Sequence, residues 1–173
     1  MKVKVLTVTS ALFVAGCSGG QQRAPMSEPA AFDPKAAAYI HKSGSGVIQG
    51  ETFIIGKNGK PVFAAGETIR LVPATAYARQ RFMRLYKGRT FIPAGDIPRI
   101  SPDPQYSKFT RTTVSSARGK FLFDSVAPGE YFVTSQKIIR PPGKFIAEGG
   151  AMYTRVTLTG QEKWPVRVVV ADR

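Results

Sequence analysis

The chain is poor in the residues that build covalent cross-links and metal sites. Its 173 residues include one cysteine, one histidine and one tryptophan. A disulfide within the chain is excluded, because it needs two cysteines. A zinc site takes three or four His, Cys or carboxylate ligands, and a single histidine, His41, cannot supply such a set. We therefore predict no metal site and no cofactor.

The N-terminal apolar stretch is too short to span a membrane. It runs from Val5 to Ala15, is interrupted by three hydroxyl residues, and follows two lysines. A helix of this length rises about 16 Å, whereas the hydrocarbon core of a bilayer is about 30 Å thick. A basic segment followed by a short apolar segment and then by small residues is typical of an export signal that is removed from the mature protein.

The end of this stretch, Val14-Ala15-Gly16-Cys17, resembles the bacterial lipobox. The resemblance implies that the signal 1–16 is cleaved, that the Cys17 thiol carries a diacylglycerol and that the new amine is acylated. Two anchoring signals hold a protein stably on a membrane where one acyl chain does not. Ser18, which would follow the lipidated cysteine directly, resembles the residue at that position in lipoproteins that are sorted to the outer membrane. We predict a Gram-negative outer-membrane lipoprotein that faces the periplasm; the alternative is a secreted protein with an ordinary cleavage site.

Composition divides the remaining chain into a tether and one domain. Residues 17–38 start at the lipidated cysteine and are rich in Gly, Pro, Ser, Gln and Ala without an apolar period. This predicts a flexible tether with a root-mean-square reach of about 25 Å, in which Pro34–Tyr39 could form a short helix. Residues 39–173 have the size of one domain with one core.

Strand signals dominate residues 39–173. Asn58-Gly59 is a strong hairpin signal because both residues tolerate positive φ, Gly50 suggests a bulge, and Pro73 should end its strand or lie at a sheet edge. Strands are predicted over Gly46–Gly56, Glu67–Pro73 (alternating and therefore half-buried), Tyr106–Ser116, Gly119–Ile139 (two strands around Pro128-Gly129), Ala151–Gly160 and Trp164–Asp172. About seven short strands indicate a mainly β, antiparallel sandwich.

One segment, at about 75–105, breaks the strand pattern. Apolar residues in Ala76–Gly88 follow the spacing of one helical face, and Gly88 is a plausible stop. Thr90–Tyr106 contains four prolines, which predicts a long ordered loop without regular structure. We therefore predict one short basic helix and a proline-rich loop inserted in the sandwich.

The stretch Ala117–Val133 resembles the carboxypeptidase regulatory-like domain, a transthyretin-like β-sandwich. The resemblance rests on a glycine, an alternating aromatic strand and a Pro-Gly-x-Tyr turn, together with the Gly-x-Pro hairpin turn at Gly59–Pro61. In the alternating strand, Phe121 and Phe123 should face one side and Leu122 the other. It covers about residues 46–75 and 106–139. It implies a transthyretin-like or Ig-like fold for this chain. The zinc enzyme domain that accompanies such domains in metallocarboxypeptidases has no counterpart here.

Basic residues greatly outnumber acidic ones, 25 to 11. Such an excess favours anionic partners, which for an exported protein include anionic lipid, lipopolysaccharide, peptidoglycan or an acidic protein face. No nucleic-acid partner is predicted, because no nucleic-acid-binding pattern occurs. Either the basic residues are dispersed and maintain solubility, or the helix presents a patch. The candidate interaction patch is Arg79, Arg81, Arg84, Lys87 and Arg89.

Catalytic patterns are absent from the sequence. Nothing in the sequence places His41 near a nucleophile elbow, and we interpret it as a solvated residue. Asp96 and Asp103 could be read as a carboxylate pair for glycoside cleavage, but among four prolines they are more typical of loop caps. We predict no catalytic residues and no enzyme activity.

Two binding functions remain open. The first is a lipid-anchored, non-catalytic protein-interaction or structural module of the cell envelope, with an envelope protein as partner. The second is a small-ligand or glycan binder in which Tyr86, Tyr106 and Trp164 line a groove. The aromatics interleaved with the basic helix could serve either core packing or recognition. These are Tyr77, Phe82, Tyr86 and Phe91.

Overall fold

The strand signals correspond to nine strands in two sheets. The computed structural model describes residues 30–140, 142–143, 145 and 147–172. The strands are β1 Ser43–Ile55, β2 Pro61–Phe63, β3 Thr68–Pro73, β4 Phe91–Pro93, β5 Arg111–Val114, β6 Lys120–Val126, β7 Gly129–Ile139, β8 Glu148–Leu158 and β9 Val166–Ala171. The helical elements are α1 Pro34–Ala37, α2 Ala76–Tyr86 and the 3₁₀ turns Ala38–His41, Ala94–Asp96 and Tyr106–Phe109.

The two sheets combine strands that are distant in sequence. Sheet A contains β9, β1 and β6, and β2 pairs with the end of β1. Sheet B has the order β4-β8-β7-β3-β5. Described strand pairs are antiparallel except β1 with β9, which run parallel from Ile48↔Val166 to Phe53↔Ala171. The predicted β-sandwich is confirmed, with nine strands rather than about seven and with a parallel pair that the prediction lacked.

Strand β1 is the long central strand of sheet A, and two of its local features were predicted. The Asn58-Gly59 hairpin is present: Gly59 has φ +74°, and β2 returns along β1. Gly50 does not form a bulge, because the register shifts lie between Ser43 and Ile48. Gly50 instead permits close approach, since a Cβ there would lie 2.5 Å from the Val168 carbonyl oxygen.

The core between the sheets follows from alternation along the strands. In β6, Phe121 and Phe123 are buried, whereas Leu122 between them is 49% exposed; the sequence predicted this alternation. Tyr131 and Val133 of β7 belong to the same buried cluster from the side of sheet B. Burial of such side chains is the dominant favourable contribution to folding.

The Pro128-Gly129 turn carries the chain from sheet A to sheet B. Its geometry is held by the Tyr131 hydroxyl, which donates to the Ala127 carbonyl oxygen at 2.8 Å. Gly129 has φ +152°, and a Cβ there would lie 2.6 Å from the Tyr39 ring. The turn therefore needs glycine for both its backbone conformation and its packing.

Helix α2 forms a third layer on the outer side of sheet B. It begins after Thr75, whose hydroxyl accepts from the Ala78 amide at 3.2 Å, as expected for a helix N-cap. It ends at Lys87, whose backbone is left-handed with φ +51°. The predicted helix is confirmed, and its apolar face is buried against the sheet.

A second core lies between α2 and sheet B. Because α2 covers β3, Val72 is only 2% exposed, so the prediction of a half-buried strand was wrong for the end of β3. The predicted end of that strand at Pro73 is confirmed. The buried members of this cluster are Val72, Ala74, Ala78, Phe82, Tyr86, Ile92, Phe132 and Tyr153.

The proline-rich segment is more regular than predicted. Phe91–Pro93 forms β4, which extends the edge of sheet B by pairing with Met152, Ala151 and Gly150, and a 3₁₀ turn follows it. The predicted strand Tyr106–Ser116 also needs correction, because Tyr106–Phe109 is a 3₁₀ turn and only Arg111–Val114 is a strand. Strand β4 was missed because its three residues, the last of them a proline, are too few to show an alternation.

The ordered domain begins before residue 39. Asp33 caps α1 by accepting from the Lys35 amide, and the Phe32 ring lies 5.4 Å from both the Tyr77 and the Phe109 rings, centroid to centroid. The predicted tether therefore extends too far, since residues 30–38 pack on the domain. The predicted signal 1–16 and Cys17 lie outside the described residues. No described helix is long and apolar enough to cross a membrane.

Candidate functional site

The five basic residues of the predicted patch divide into two groups. Arg79 forms a bidentate pair with Glu130, with nitrogen–oxygen distances of 2.9 and 2.7 Å. The hydrogen bond from Arg79 holds the pKa of Glu130 below its usual value. Arg81 donates to the Ile100 carbonyl oxygen at 2.9 Å and lies over the Tyr106 ring. Both arginines thus fasten α2 to its surroundings.

The remaining three, Arg84, Lys87 and Arg89, are exposed. Among the described residues, no carboxylate lies within ion-pair distance of them. Met83, on the same side of α2, is 59% exposed. The patch as predicted thus reduces to three cations beside one exposed apolar side chain.

The aromatic residues proposed for a ligand groove do not come together. Tyr86 is 5% exposed and packs on Phe82, whereas Trp164 is 82% exposed in the connection between β8 and β9. Tyr106 is half-buried beside Tyr77. Burial raises the pKa of both Tyr86 and Tyr106. Core packing explains Phe82 and Tyr86, and Tyr77 and Phe91 are half-buried.

The candidate catalytic residues have structural surroundings. The His41 ring is exposed and lies 5.0 Å from the Phe109 ring. Asp103 accepts from the Gln105 amide at 2.8 Å, as a loop cap does, and Asp96 lies in a 3₁₀ turn. Within the described part of the chain, no three His, Cys, Asp or Glu residues are grouped as metal ligands.

An open groove of about 740 Å³ lies on the outer face of sheet A. Its floor is formed by the outward side chains of β6, β1 and β9, and Val114 of β5 stands at its side. Since β1 pairs with both β6 and β9, these side chains are placed in two rows across the sheet, about 4.8 Å apart from strand to strand. The rows are Leu122, Gln49 and Arg167 in one, and Lys120, Glu51 and Val169 in the other.

The groove combines exposed apolar groups with charge. Leu122, Val169 and Val114 are 49%, 51% and 64% exposed. Gln49 and Glu51 form a polar centre, and the basic residues Arg167 and Lys120 stand at opposite corners beside it. Leu122 and Val169 stand at the other two corners, separated by this polar centre, and Val114 lies at the side. The arrangement can bind an extended ligand whose hydrogen-bonding groups are flanked by apolar groups.

Sequence reasoning missed this groove. The alternation in β6 correctly placed Leu122 on the outer face, and outward Val169 follows from the same alternation in β9. The parallel pairing of β9 with β1, which brings the two residues to one surface, has no local sequence signal. A leucine at an outward strand position was the only available hint.

No protein-family model matches the sequence, and no curated protein matches it. Among solved structures, the chain is similar to a crystal structure, at 2.61 Å resolution, of a protein from Pseudomonas aeruginosa that has been proposed to bind carbohydrate. The sequence identity is 24% and the TM-score is 0.67; the match covers 83% of this chain and 99% of the other. At this identity, the similarity establishes a shared fold.

Proposed function

We propose that the chain is a lipid-anchored, non-catalytic binding module of the bacterial cell envelope, which binds a protein partner in the groove of sheet A. The anchor is the acylated Cys17, and the compartment is the periplasmic side of the outer membrane. The carboxypeptidase regulatory-like resemblance agrees with a domain that binds rather than reacts. The observation that carries the proposal is the outer face of sheet A, which no described element covers and on which Leu122 and Val169 are exposed on either side of a polar centre.

The edge of sheet A supports an extended protein segment as the ligand. Strand β9 pairs with β1 on one side and has no second partner among the described strands. An incoming strand gains affinity from backbone hydrogen bonds at such an edge and specificity from side chains over the neighbouring surface. Arg167 and Val169 project from β9 into the groove, so edge and groove would act as one site.

Site-specific photo-crosslinking in intact cells tests the protein partner. A photoreactive amino acid is placed at Leu122 or Val169, and as a control at Thr157, an exposed strand position of sheet B. We expect the same discrete crosslinked band from 122 and 169 and none from 157. Adding Val169→Asp to the Leu122 probe should abolish its band, because a carboxylate would replace one of the two exposed aliphatic groups on this face.

Equal crosslinking from all three positions, or a band insensitive to Val169→Asp, would contradict binding in the groove. The anchor is tested separately by mass spectrometry of the N-terminal peptide. An unmodified Cys17 thiol would overturn the lipid anchor and leave the crosslinking result to decide the groove.

A glycan is the second candidate ligand. The amide and carboxylate of Gln49 and Glu51 lie at the groove centre, and such groups suit sugar hydroxyls. The similar Pseudomonas aeruginosa protein, proposed to bind carbohydrate, gives this reading loose support. Here Tyr86, Tyr106 and Trp164, first suggested for sugar stacking, would have no part, because none of them lines the groove.

Calorimetric titration with peptidoglycan fragments and lipopolysaccharide core oligosaccharides tests this alternative. If a glycan binds in the groove, Gln49→Ala combined with Glu51→Ala should weaken binding at least tenfold, because each lost hydrogen bond to a charged or polar group contributes about 0.5–3 kcal/mol. The same pair of substitutions on a different surface, Gln136→Ala with Glu162→Ala, should leave it unchanged.

A further inference from the structure

The chain enters the described domain across the outward face of helix α2. The Ala30 amide donates to the Gln80 side-chain oxygen, and Ala30 lines a small cleft with Gln80, Arg81 and Arg84. Phe32 then fixes the segment among aromatic rings of the helix and the adjoining loop. The polypeptide that joins the domain to Cys17 therefore leaves from this surface.

The same outward face carries exposed cations and an exposed apolar group. Gln80, Met83, Arg84 and Lys87 follow a helical spacing of three and four residues, and Arg89 follows directly after the helix. Three of these side chains are cationic and have no described ion-pair partner. The adjoining loop adds exposed Arg99, along with two carboxylates, Asp96 and Asp103.

We infer that this helix face, defined by Met83, Arg84, Lys87 and Arg89, rests on the anionic surface of the membrane in which the protein is anchored. The inference depends on the proposed lipid anchor at Cys17. Each basic residue close to an anionic membrane surface strengthens partitioning onto that surface by about fivefold. An exposed methionine among them can enter the boundary between headgroups and acyl chains.

The length of chain outside the described domain makes this contact accessible. Twelve residues, 18–29, separate Cys17 from Ala30. Even fully extended they span no more than about 45 Å, so the helix face stays close to the bilayer. A short connection holds the second contact at a high effective concentration, and weak attraction by three cations is then sufficient to orient the domain.

This orientation gives the two outer faces of the sandwich different tasks. The α2 face would meet the membrane, while the groove of sheet A, on the opposite sheet, would point away from it toward the periplasm. Arg79 and Arg81 take no part, because Glu130 and Ile100 already engage them.

The absence of other cysteines makes a fluorescent test simple. Met83→Cys introduces one free thiol into the acylated protein, since Cys17 is the sole native cysteine. The labelled lipoprotein is reconstituted in vesicles of phosphatidylcholine alone, or of phosphatidylcholine with about 30% phosphatidylglycerol as the anionic lipid. Quenching by aqueous acrylamide, which is uncharged and so is not itself repelled by the anionic lipid, reports how far the label is shielded. Val169→Cys is the matched control in the groove.

We expect the label at 83 to be shielded several-fold better in anionic vesicles than in neutral ones, and the label at 169 to be equally accessible in both. Reversal of Arg84, Lys87 and Arg89 to Glu should remove the shielding. Equal quenching at 83 in both lipids, or shielding that survives the reversal, would overturn the inference.

A second arm separates this inference from the anchor. The unacylated chain 17–173 with Cys17→Ser is mixed with the same vesicles, and its binding is measured by sedimentation. Binding to anionic vesicles should fall about fivefold for each of the three cations replaced by Gln, and Arg79→Gln should have little effect. No cation-dependent binding would overturn the helix-face contact, whether or not the cell acylates Cys17.

Discussion

The two outer faces of the sandwich differ although their strands look alike. Strand β6 contains Phe121-Leu122-Phe123, and β7 contains Tyr131-Phe132-Val133. In β7 all three residues are fully buried, whereas Leu122 in β6 is 49% exposed. The difference is the layer outside: α2 and its loop cover β7, and no described element covers the corresponding face of β6.

The comparison teaches where this fold is built for stability and where for binding. Insertion 75–105 turns sheet B into a central layer, and aromatic residues on sheet and helix form its second core. Sheet A keeps apolar residues outward without such a cover. Because half-exposed leucine and valine gain little from burial, the presence of Leu122 and Val169 on the same uncovered face favours a role in binding.

Removing an aromatic anchor under α2 should have the largest effect. The Phe132 ring stacks on Phe82 at 4.1 Å between centroids and is fully buried. Phe132→Ala should reduce the free energy of unfolding by about 3–5 kcal/mol, measured by urea denaturation. Leu122→Ala on the open face should change it by less than about 0.5 kcal/mol. Equal losses for both would end the distinction between the faces.

A glycine in β8 tests how tightly the insertion is joined to sheet B. A Cβ at Gly150 would lie 1.9 Å from the Ile92 carbonyl oxygen, whereas a Cβ at Gly95 would meet nothing within 4 Å. Gly150→Ala should therefore push β4 away and lower the free energy of unfolding by about 1–3 kcal/mol. Gly95→Ala, a substitution within the insertion itself, should be neutral or slightly stabilising. Comparable denaturation midpoints would show that β4 pairing contributes little.

Elements with a local cause were predictable from the sequence. Helix α2 follows from apolar spacing, the β1–β2 hairpin from Asn58-Gly59, and the turn between β6 and β7 from Pro128-Gly129, although the sequence did not show that this turn joins two different sheets. The packing of residues 30–38 was missed because Pro and Ala composition is typical of a tether. The cluster of Phe32 with Tyr77 and Phe109 and the hydrogen bond from Ala30 to Gln80 reveal it, and those partners lie far along the chain.

The candidate sites depended on pairings that no local pattern encodes. Arg79 was predicted as part of an interaction patch, but it pairs with Glu130, which is 51 residues away in the chain. The groove requires β9 to lie parallel to β1, which places Val169 and Leu122 on one surface. Side-chain type was readable at each position, whereas its neighbour across the sheet was not.

The cap of α2 tests whether the cover over sheet B can be loosened without damaging the sheet. Thr75→Ala leaves the Ala78 amide without its side-chain acceptor, and we expect a loss of about 1 kcal/mol. Hydrogen exchange should quicken in the first turn of α2 and remain unchanged in β6. Thr75→Ser keeps the hydroxyl and should retain protection. Faster exchange throughout the protein would mean that helix and sheets open as one unit.

The smallest expected effect concerns the ion pair that joins α2 to β7. The pKa of Glu130 in the folded protein lies below its ordinary 4.5, so the pair stabilises the fold above that pH. The contribution is lost as the pH falls through the lower, folded value. Because both side chains are partly exposed, Glu130→Gln should cost less than about 1 kcal/mol at pH 7.

The difference between Glu130→Gln and the parent should disappear in strongly acidic solution, where the parent carboxylate is also neutral. In an Arg79→Gln background the same substitution should have almost no effect at either pH, because its partner is gone. Denaturation of the four proteins at pH 7 and at pH 2–3 completes this cycle. A pH-independent difference would assign the effect to packing of the Glu130 side chain, and the helix would then be held to sheet B by its aromatic core alone.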